Sequence, residues 1–456
     1  MKNRITEVLK KFSDRCDYLE VHIEETEESR VGFTGDRLSD IGRRVDFGGN
    51  VRALHRGAWG FASFNSIDRI DEFAGHAVNQ ARLVGTGRSE LAEVEPVVAD
   101  VALDVKHDPR DVSLADKVAM MRAYNEQVLG FHDEIITSSL LYFDRYRKFW
   151  FGNSEGAMVY QERVDIGGRV TPVASRGEGS QSCSASFGGS DDFGVARGLE
   201  KDVEKACRVA LGKLDAPKVK AGEYTVVVDP RLGGVFIHEA FGHLSEGDNV
   251  YEDKNLQDVM VLGRKFGKPF LNVYDTGLDK GYRGYLVYDD EGVPTEKTYL
   301  IREGELVGRL HSRETAGKMG ERPTGSARLI DYRHPPVPRM RNTVIDNGDA
   351  TFDEMIADVD LGIYAISASG GQTNGEMFTF TAADAYMIRD GRIAEQVRDV
   401  MLSGNVFSTL DSIDAVGDDL ACHDGGGGCG KAGQFPLPVT HGSPHVRIRN
   451  VVIGGE

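Results

Sequence analysis

Tyr224-Thr225-Val226-Val227-Val228-Asp229-Pro230-Arg231-Leu232-Gly233-Gly234-Val235-Phe236-Ile237-His238-Glu239-Ala240-Phe241-Gly242-His243 is the stretch that decides how this chain is built. The run through Val228 predicts a buried strand. Asp229 as N-cap and Pro230 at the first helical position predict a helix that starts at once. A helix entered directly from a core strand holds its side chains rigidly, which suits a functional site. This one carries two histidines with a glutamate beside the first. In the familiar zinc-hydrolase helix the histidines are four apart, about 40° around the axis, whereas five apart is about 140°. A regular helix would splay His238 and His243. If both bind one ion, the helix is widened between them, as in a π-bulge, with Gly242 the expected place; otherwise one of them is not a ligand. The plain structural alternative is a buried helix with Ile237, Phe241 and Leu244 facing the core and both histidines in ordinary hydrogen bonds.

With 456 residues the chain is long enough for two or three domains. Hydrophobic content of 40% and charged content of 28% are those of a soluble globular protein. No apolar run approaches the roughly 18 residues that span a bilayer, so no membrane association is expected. The start, Met1 to Phe12, reads as an amphipathic helix rather than a signal peptide, and a cytoplasmic location is expected. Five irregularly spaced cysteines, Cys16, Cys183, Cys207, Cys422 and Cys429, argue for reduced thiols and leave one free to serve as a ligand. A net charge of -18 opposes binding to phosphate backbones, so nucleic acid is not an expected partner.

Outward from the histidine helix, the first 60 residues read as a helix followed by an antiparallel meander. Tyr18 to Thr26 alternates apolar and polar, with turn signals at Gly35-Asp36 and Gly48-Gly49. Helices are expected over 68–84, 113–129 and about 199–211, and a strand pair around Asn153-Ser154-Glu155-Gly156. The charged, aperiodic stretch Gly212 to Lys220 marks a domain boundary. Beyond it hairpins dominate, turning at Glu303-Gly304 and Asp390-Gly391. The expected fold class is α+β, with an N-terminal α/β domain with an antiparallel meander over 1–215. A C-terminal β-rich domain carrying the His-Glu-x-x-x-His helix follows over 218–456. Gly425 to Gly428 reads as a flexible surface loop.

A hydrolytic zinc site needs three protein ligands, an open position and a nearby base. His238 and His243 supply two ligands and Glu239 the base. Glu246 and Asp248 read equally well as turn residues at the helix end. Cys429, between Gly428 and Gly430, is favoured as the third ligand, because missing side chains let the backbone approach a buried ion. Cys422 with His423 is the main rival, and His441 and His445 also remain open. Tyr386, His441 and Arg339 are candidates for oxyanion support by residue type alone.

The runs His238 to Asp248 and Gly428-Cys429-Gly430-Lys431-Ala432-Gly433-Gln434 resemble the TldD/PmbA family, specifically its TldD metalloprotease branch. Gly49 to Ser63 and Pro338 to Thr343 resemble further blocks of the same family, so the likeness spans nearly the whole chain. It implies a zinc-dependent peptidase acting on unfolded or flexible peptides, with His238, His243 and Cys429 holding Zn2+ and Glu239 acting on water. It also implies a dimer enclosing the metal in a channel, built by the chain with itself or with a TldE/PmbA-like paralogue lacking the motif, the unit 1–215 serving channel and dimerisation. Two competing readings are a non-catalytic zinc-binding partner subunit and a small-molecule amidase. Glu239 speaks against the first, since a structural site needs no base.

Overall fold

A computed structural model describes residues 1–454. Helix α1 (Lys2–Phe12) buries Ile5, Val8, Leu9 and Phe12, the i, i+3, i+4 and i+7 stripe of an amphipathic helix. Five long antiparallel strands follow: β1 (Tyr18–Thr34), β2 (Arg37–His55), β3 (Ala58–Phe64), β4 (Ile135–Asn153) and β5 (Met158–Arg176), laid side by side in the order β3-β2-β1-β4-β5. Helices α2 (Ile70–Val84), α3 (Leu114–Leu129) and α4 (Glu200–Asp215) pack with α1 over this sheet.

Strand parity separates the two faces of β1. Leu19, Val21 and Ile23 point to the helices, and Glu20, His22 and Glu24 to the other side. That polar side is not solvent-exposed. Arg52 binds Glu20 at 2.5 Å and Glu291 at 2.8 Å, and Arg147 binds Glu24 at 2.6 Å. Buried ion pairs thus join the first sheet to the loop around residue 290. The meander turns at Gly35-Asp36 as expected, but Gly48-Gly49 lies inside β2 and the turn comes at Arg56-Gly57. The two glycines serve close packing instead: a Cβ on Gly48 would strike the Tyr332 ring, and one on Gly49 would lie 2.5 Å from the His22 carbonyl.

The aperiodic stretch expected from Gly212 begins later, because α4 continues through Asp215. Strand β6 (Gly222–Val228) then leads into α5 (Pro230–Ile237). Strand β7 (Leu361–Asn374) pairs parallel with β6 and antiparallel with β8 (Met377–Arg389). Strand β8 pairs with β9 (Met401–Asn405). A second sheet contains β10 (Ala421–His423), and β11 (Cys429–Lys431) and β12 (Gln434–Leu437) pair with each other as a separate hairpin. Strand β13 (Thr440–Ser443) joins β10 to the parallel strand Asn342–Ile345. Strand β14 (Val446–Gly454) pairs with both β9 and β6, closing the first of these sheets into a small barrel. The α+β class, with a β-rich second half, is therefore the observed one. Helix α5 packs between barrel and second sheet, with Phe236, Ile237, Ala240 and Phe241 in the largest hydrophobic core. Among the described residues no helix is long and apolar enough to cross a membrane.

Candidate metal centre

Asp229 fixes the start of α5 in two directions. Its Oδ1 accepts the Leu232 N–H at 2.8 Å, capping the helix, and the Ser367 N–H at 2.7 Å, tying it to β7. Gly233 and Gly234 bring the helix down onto β13. A Cβ at Gly233 would lie 2.6 Å from Ser443 Oγ, and one at Gly234 2.9 Å from His441 Cβ. The helix then widens: His238–Gly242 form a π-turn, and the His243 N–H donates to the His238 carbonyl five residues back. This is the distortion expected if both histidines face one ion. Met340 packs against Gly242, leaving no room for a Cβ there. The widened turn stacks residues five apart, and the His238 and His243 ring centroids are 5.3 Å apart.

Cys429 completes the cluster. One donor atom from each of His238, His243 and Cys429 lies within 4.8 Å of the others, with Sγ 3.4 Å from His243 Nε2. His238 is 1% exposed and neither of its ring nitrogens has a hydrogen-bond partner. A buried imidazole left unpaired in this way is costly, and coordination of a metal satisfies it. Two imidazoles and a thiol therefore fit a divalent metal. Burial opposes a thiolate at Cys429, but His238 and His243 as positive neighbours outweigh it and hold the thiol down to about 5. At neutral pH the sulfur is then ionised, the form in which it could hold a metal.

A carboxylate anchors the second histidine. Glu246 Oε2 lies 3.0 Å from His243 Nδ1, which leaves Nε2 directed at the cluster. Glu246 is fully buried. Burial raises its proton affinity, yet Lys431 at 3.0 Å and His243 hold the carboxyl down at about 2. For His243 burial opposes the charged ring, and Glu246 followed by Cys429 raise its proton affinity well above the usual histidine value. Asn249 Nδ2 donates to the His243 carbonyl at 2.8 Å, and Lys431 also pairs with Asp248 at 2.5 Å. Arg339 donates to the Cys429 carbonyl at 2.8 Å and so steadies β11.

Glu239, next to His238, has a side chain 30% exposed, and its Oε2 is 3.9 Å from His243 Nε2. It lines an open cleft of about 550 Å³, with Gly371, Gln372 and Thr373 of β7 opposite. The structure thus brings together all four favoured residues, sets Cys422, His423 and His445 apart from them, and leaves His441 packed against His238. Cys422 and His423 lie on β10, outside the cluster. His445 binds Asp419 at 2.6 Å and Tyr364 at 3.0 Å. His441 packs edge-on to His238 with ring centroids 4.5 Å apart. Its proton affinity is well below the usual histidine value, through burial and then the neighbouring His238. Tyr386 sits beside Asp384. In the Gly425 to Gly428 stretch Gly425 and Gly427 are exposed with open space around them, as a surface loop would be, whereas a Cβ on Gly428 would come within 2.7 Å of the Leu437 carbonyl and Pro436. Sequence reasoning left Glu246 open as a turn residue; its one signal is a carboxylate three residues after the second histidine.

Residues 19–81 match PmbA/TldA metallopeptidase domain 1, 107–214 its central domain and 221–455 its C-terminal domain. The chain belongs to the TldD/PmbA family. This TldD/PmbA-family chain is 42% identical to Metalloprotease slr0863 of Synechocystis over 100% of its own length and 98% of that protein. It is 28% identical to the Zinc metalloprotease TldD homolog of Saccharolobus solfataricus, covering 96% of this chain and 97% of that protein. The crystal structure of TldE from Thermococcus kodakarensis shares the fold, with a TM-score of 0.78 at 18% identity over 99% of this chain and 100% of that one.

Proposed function

We propose that this chain is a TldD-type zinc metallopeptidase that hydrolyses peptide bonds in unfolded or flexible peptides. The observation that carries the reading is the buried His238, His243 and Cys429 cluster, with unpaired His238 nitrogens and Glu239 at the mouth of an open cleft. Zinc held by these three residues would supply the Lewis acidity that polarises a scissile carbonyl and acidifies water. Glu239 takes the proton from the attacking water and returns it to the leaving amine. Glu246 keeps His243 oriented, and Arg339 keeps the Cys429 strand in place.

Strand β7 supports an extended substrate. Its residues beyond Ala365 pair with β8 on one side, and among the described residues no strand pairs on the other. That free edge runs past the cleft, where a peptide backbone adds as a further strand without reading side chains. In this reading residues 1–215 form a unit that contributes to the channel and to dimerisation, and 218–456 the peptidase unit. The dimer is completed by a second copy or a TldE/PmbA-like paralogue, and the five free thiols suit a reducing cytoplasm.

Replacing Glu239 with Gln tests the assignment. The variant should keep one bound zinc and lose about 10²- to 10⁴-fold in cleavage of an unfolded peptide. Unchanged cleavage would overturn Glu239 as the base, and loss of zinc would show that it belongs to the ligand set.

A further inference from the structure

Behind the metal centre lies a second cavity, about 240 Å³, lined among others by Arg169, Arg231, Ser367, Ser369, His423 and His441. Arg231 is on α5, seven residues before His238, which is about 10 Å along a helix axis. Val235, four residues after Arg231 and so on the same helix face, also lines the cavity. Strand β7 repeats the order: Ser367, Ala368 and Ser369 border this cavity, and Gly371, Gln372 and Thr373 border the cleft at Glu239. The cavity and the cleft therefore follow one another along the same strand, with His243 in the lining of the cleft and His441, packed on His238, in that of the cavity. At a rise of about 3.3 Å per residue, an extended peptide covers the 10 Å in about three residues.

The cavity's charge is unbalanced. Its one lining carboxylate, Asp424, is taken up by Arg283 at 3.1 Å, Thr440 at 3.1 Å and the Gly426 N–H at 2.9 Å. Among the described residues neither Arg169 nor Arg231 makes an ion pair within 4 Å, although Arg231 also borders a neighbouring hollow with Asp229 and Asp384 and acts on the Asp229 carboxylate through its charge. Burial, and then the Arg231 charge, push the His423 imidazole down to about 4, so it adds hydrogen-bonding capacity rather than a third positive charge. Two guanidiniums that no carboxylate holds in a close ion pair, in one hollow of a chain with net charge -18, are an attractive site for an anion, and the planar fork of arginine matches a carboxylate.

We propose that this cavity is a carboxylate subsite, in which Arg231, assisted by Arg169, binds the anionic group of a peptide about three residues from the bond at the metal. The inference rests on the peptidase reading and deepens it. The carboxylate belongs to the chain terminus or to an acidic side chain, and the assay separates the two.

Three quenched-fluorescence peptides of one sequence are compared: a free C-terminal acid, its amide, and the amide with Glu at the third position beyond the scissile bond. The acid should exceed the amide in kcat/KM by about ten-fold or more, as expected for a charge-assisted pair. Arg231→Met should bring that ratio close to one, Arg231→Lys should restore part of it, and Arg169→Met should lower it. Recovery of turnover by the Glu peptide would assign the subsite to side chains; no recovery would assign it to the terminus. Equal turnover of the acid, the amide and the Glu peptide by the wild type, or ratios unchanged in Arg231→Met, would overturn the proposal. Calorimetry of the metal-free protein with an N-acetyl tripeptide acid and its amide gives a reading independent of turnover. If no peptide is cleaved, the peptidase reading fails, and acid-selective binding lost in Arg231→Met still decides for or against the subsite.

Discussion

Exchanging Glu246 for Gln isolates the support of the metal centre from its ligands. One carboxylate oxygen lies 3.0 Å from His243 Nδ1, 3.0 Å from Lys431 Nζ and 3.3 Å from Asn249 Nδ2. The amide keeps the shape but loses the charge, and Lys431 keeps Asp248 as a partner, so the chain should still fold. Loss of a carboxylate behind a ligating histidine weakens metal affinity by about 10- to 100-fold, or about 1.4 to 2.7 kcal/mol. A second effect opposes this. Glu246 also raises the proton affinity of His243, against the effect of burial, so its removal lessens competition between proton and metal. The penalty should therefore be fully expressed at alkaline pH and shrink as pH falls. Zinc dissociation constants by chelator competition between pH 6 and 9, on wild type and variant, measure both trends. A variant that binds zinc as tightly as wild type at pH 9 would refute the anchoring role.

The pair of Glu24 with Arg147 makes stability depend on pH. Burial opposes ionisation of Glu24, but Arg147 holds its carboxyl down to about 2, from an ordinary value of 4.5. This contributes about 3 kcal/mol, present in full above pH 4.5 and lost as pH falls toward 2. Tm of Glu24→Gln should lie below wild type at pH 7, and the gap should narrow between pH 5 and 3; a constant gap would contradict the assignment. Gly242→Ala should lower Tm by forcing Met340 aside, at a cost of about 1 to 3 kcal/mol. Adding Met340→Ala should make the glycine change nearly neutral, and purely additive effects would show that the clash is not the cause.

Local signals carried the fold where they matched local causes. Asp229 and Pro230 start α5 as read, because capping and proline act within one turn. The spacing of His238 and His243 called for a widened helix if both face one ion, and the π-turn lies between them. Gly48 and Gly49 misled because a glycine pair reads as a turn, whereas here it admits the Tyr332 ring from a segment nearly 300 residues away. The alternation in β1 located a strand but not the burial of Glu20 and Glu24, since their partners Arg52 and Arg147 come from other strands. Cys429 stood out through its glycine neighbours, while the role of Glu246 depends on how the chain turns after the π-turn. The meeting of Arg169 with Arg231 is set by packing between the two halves and leaves no trace in either segment.

The central claim is that His238, His243 and Cys429 hold one metal ion. X-ray absorption at the zinc edge on the purified, zinc-loaded chain tests it most directly. The account predicts one sulfur at about 2.3 Å and two imidazole nitrogens at about 2.0 to 2.1 Å, with the sulfur lost in Cys429→Ser and kept in Cys422→Ser. A shell without sulfur, or one whose sulfur disappears with Cys422 instead, would contradict it.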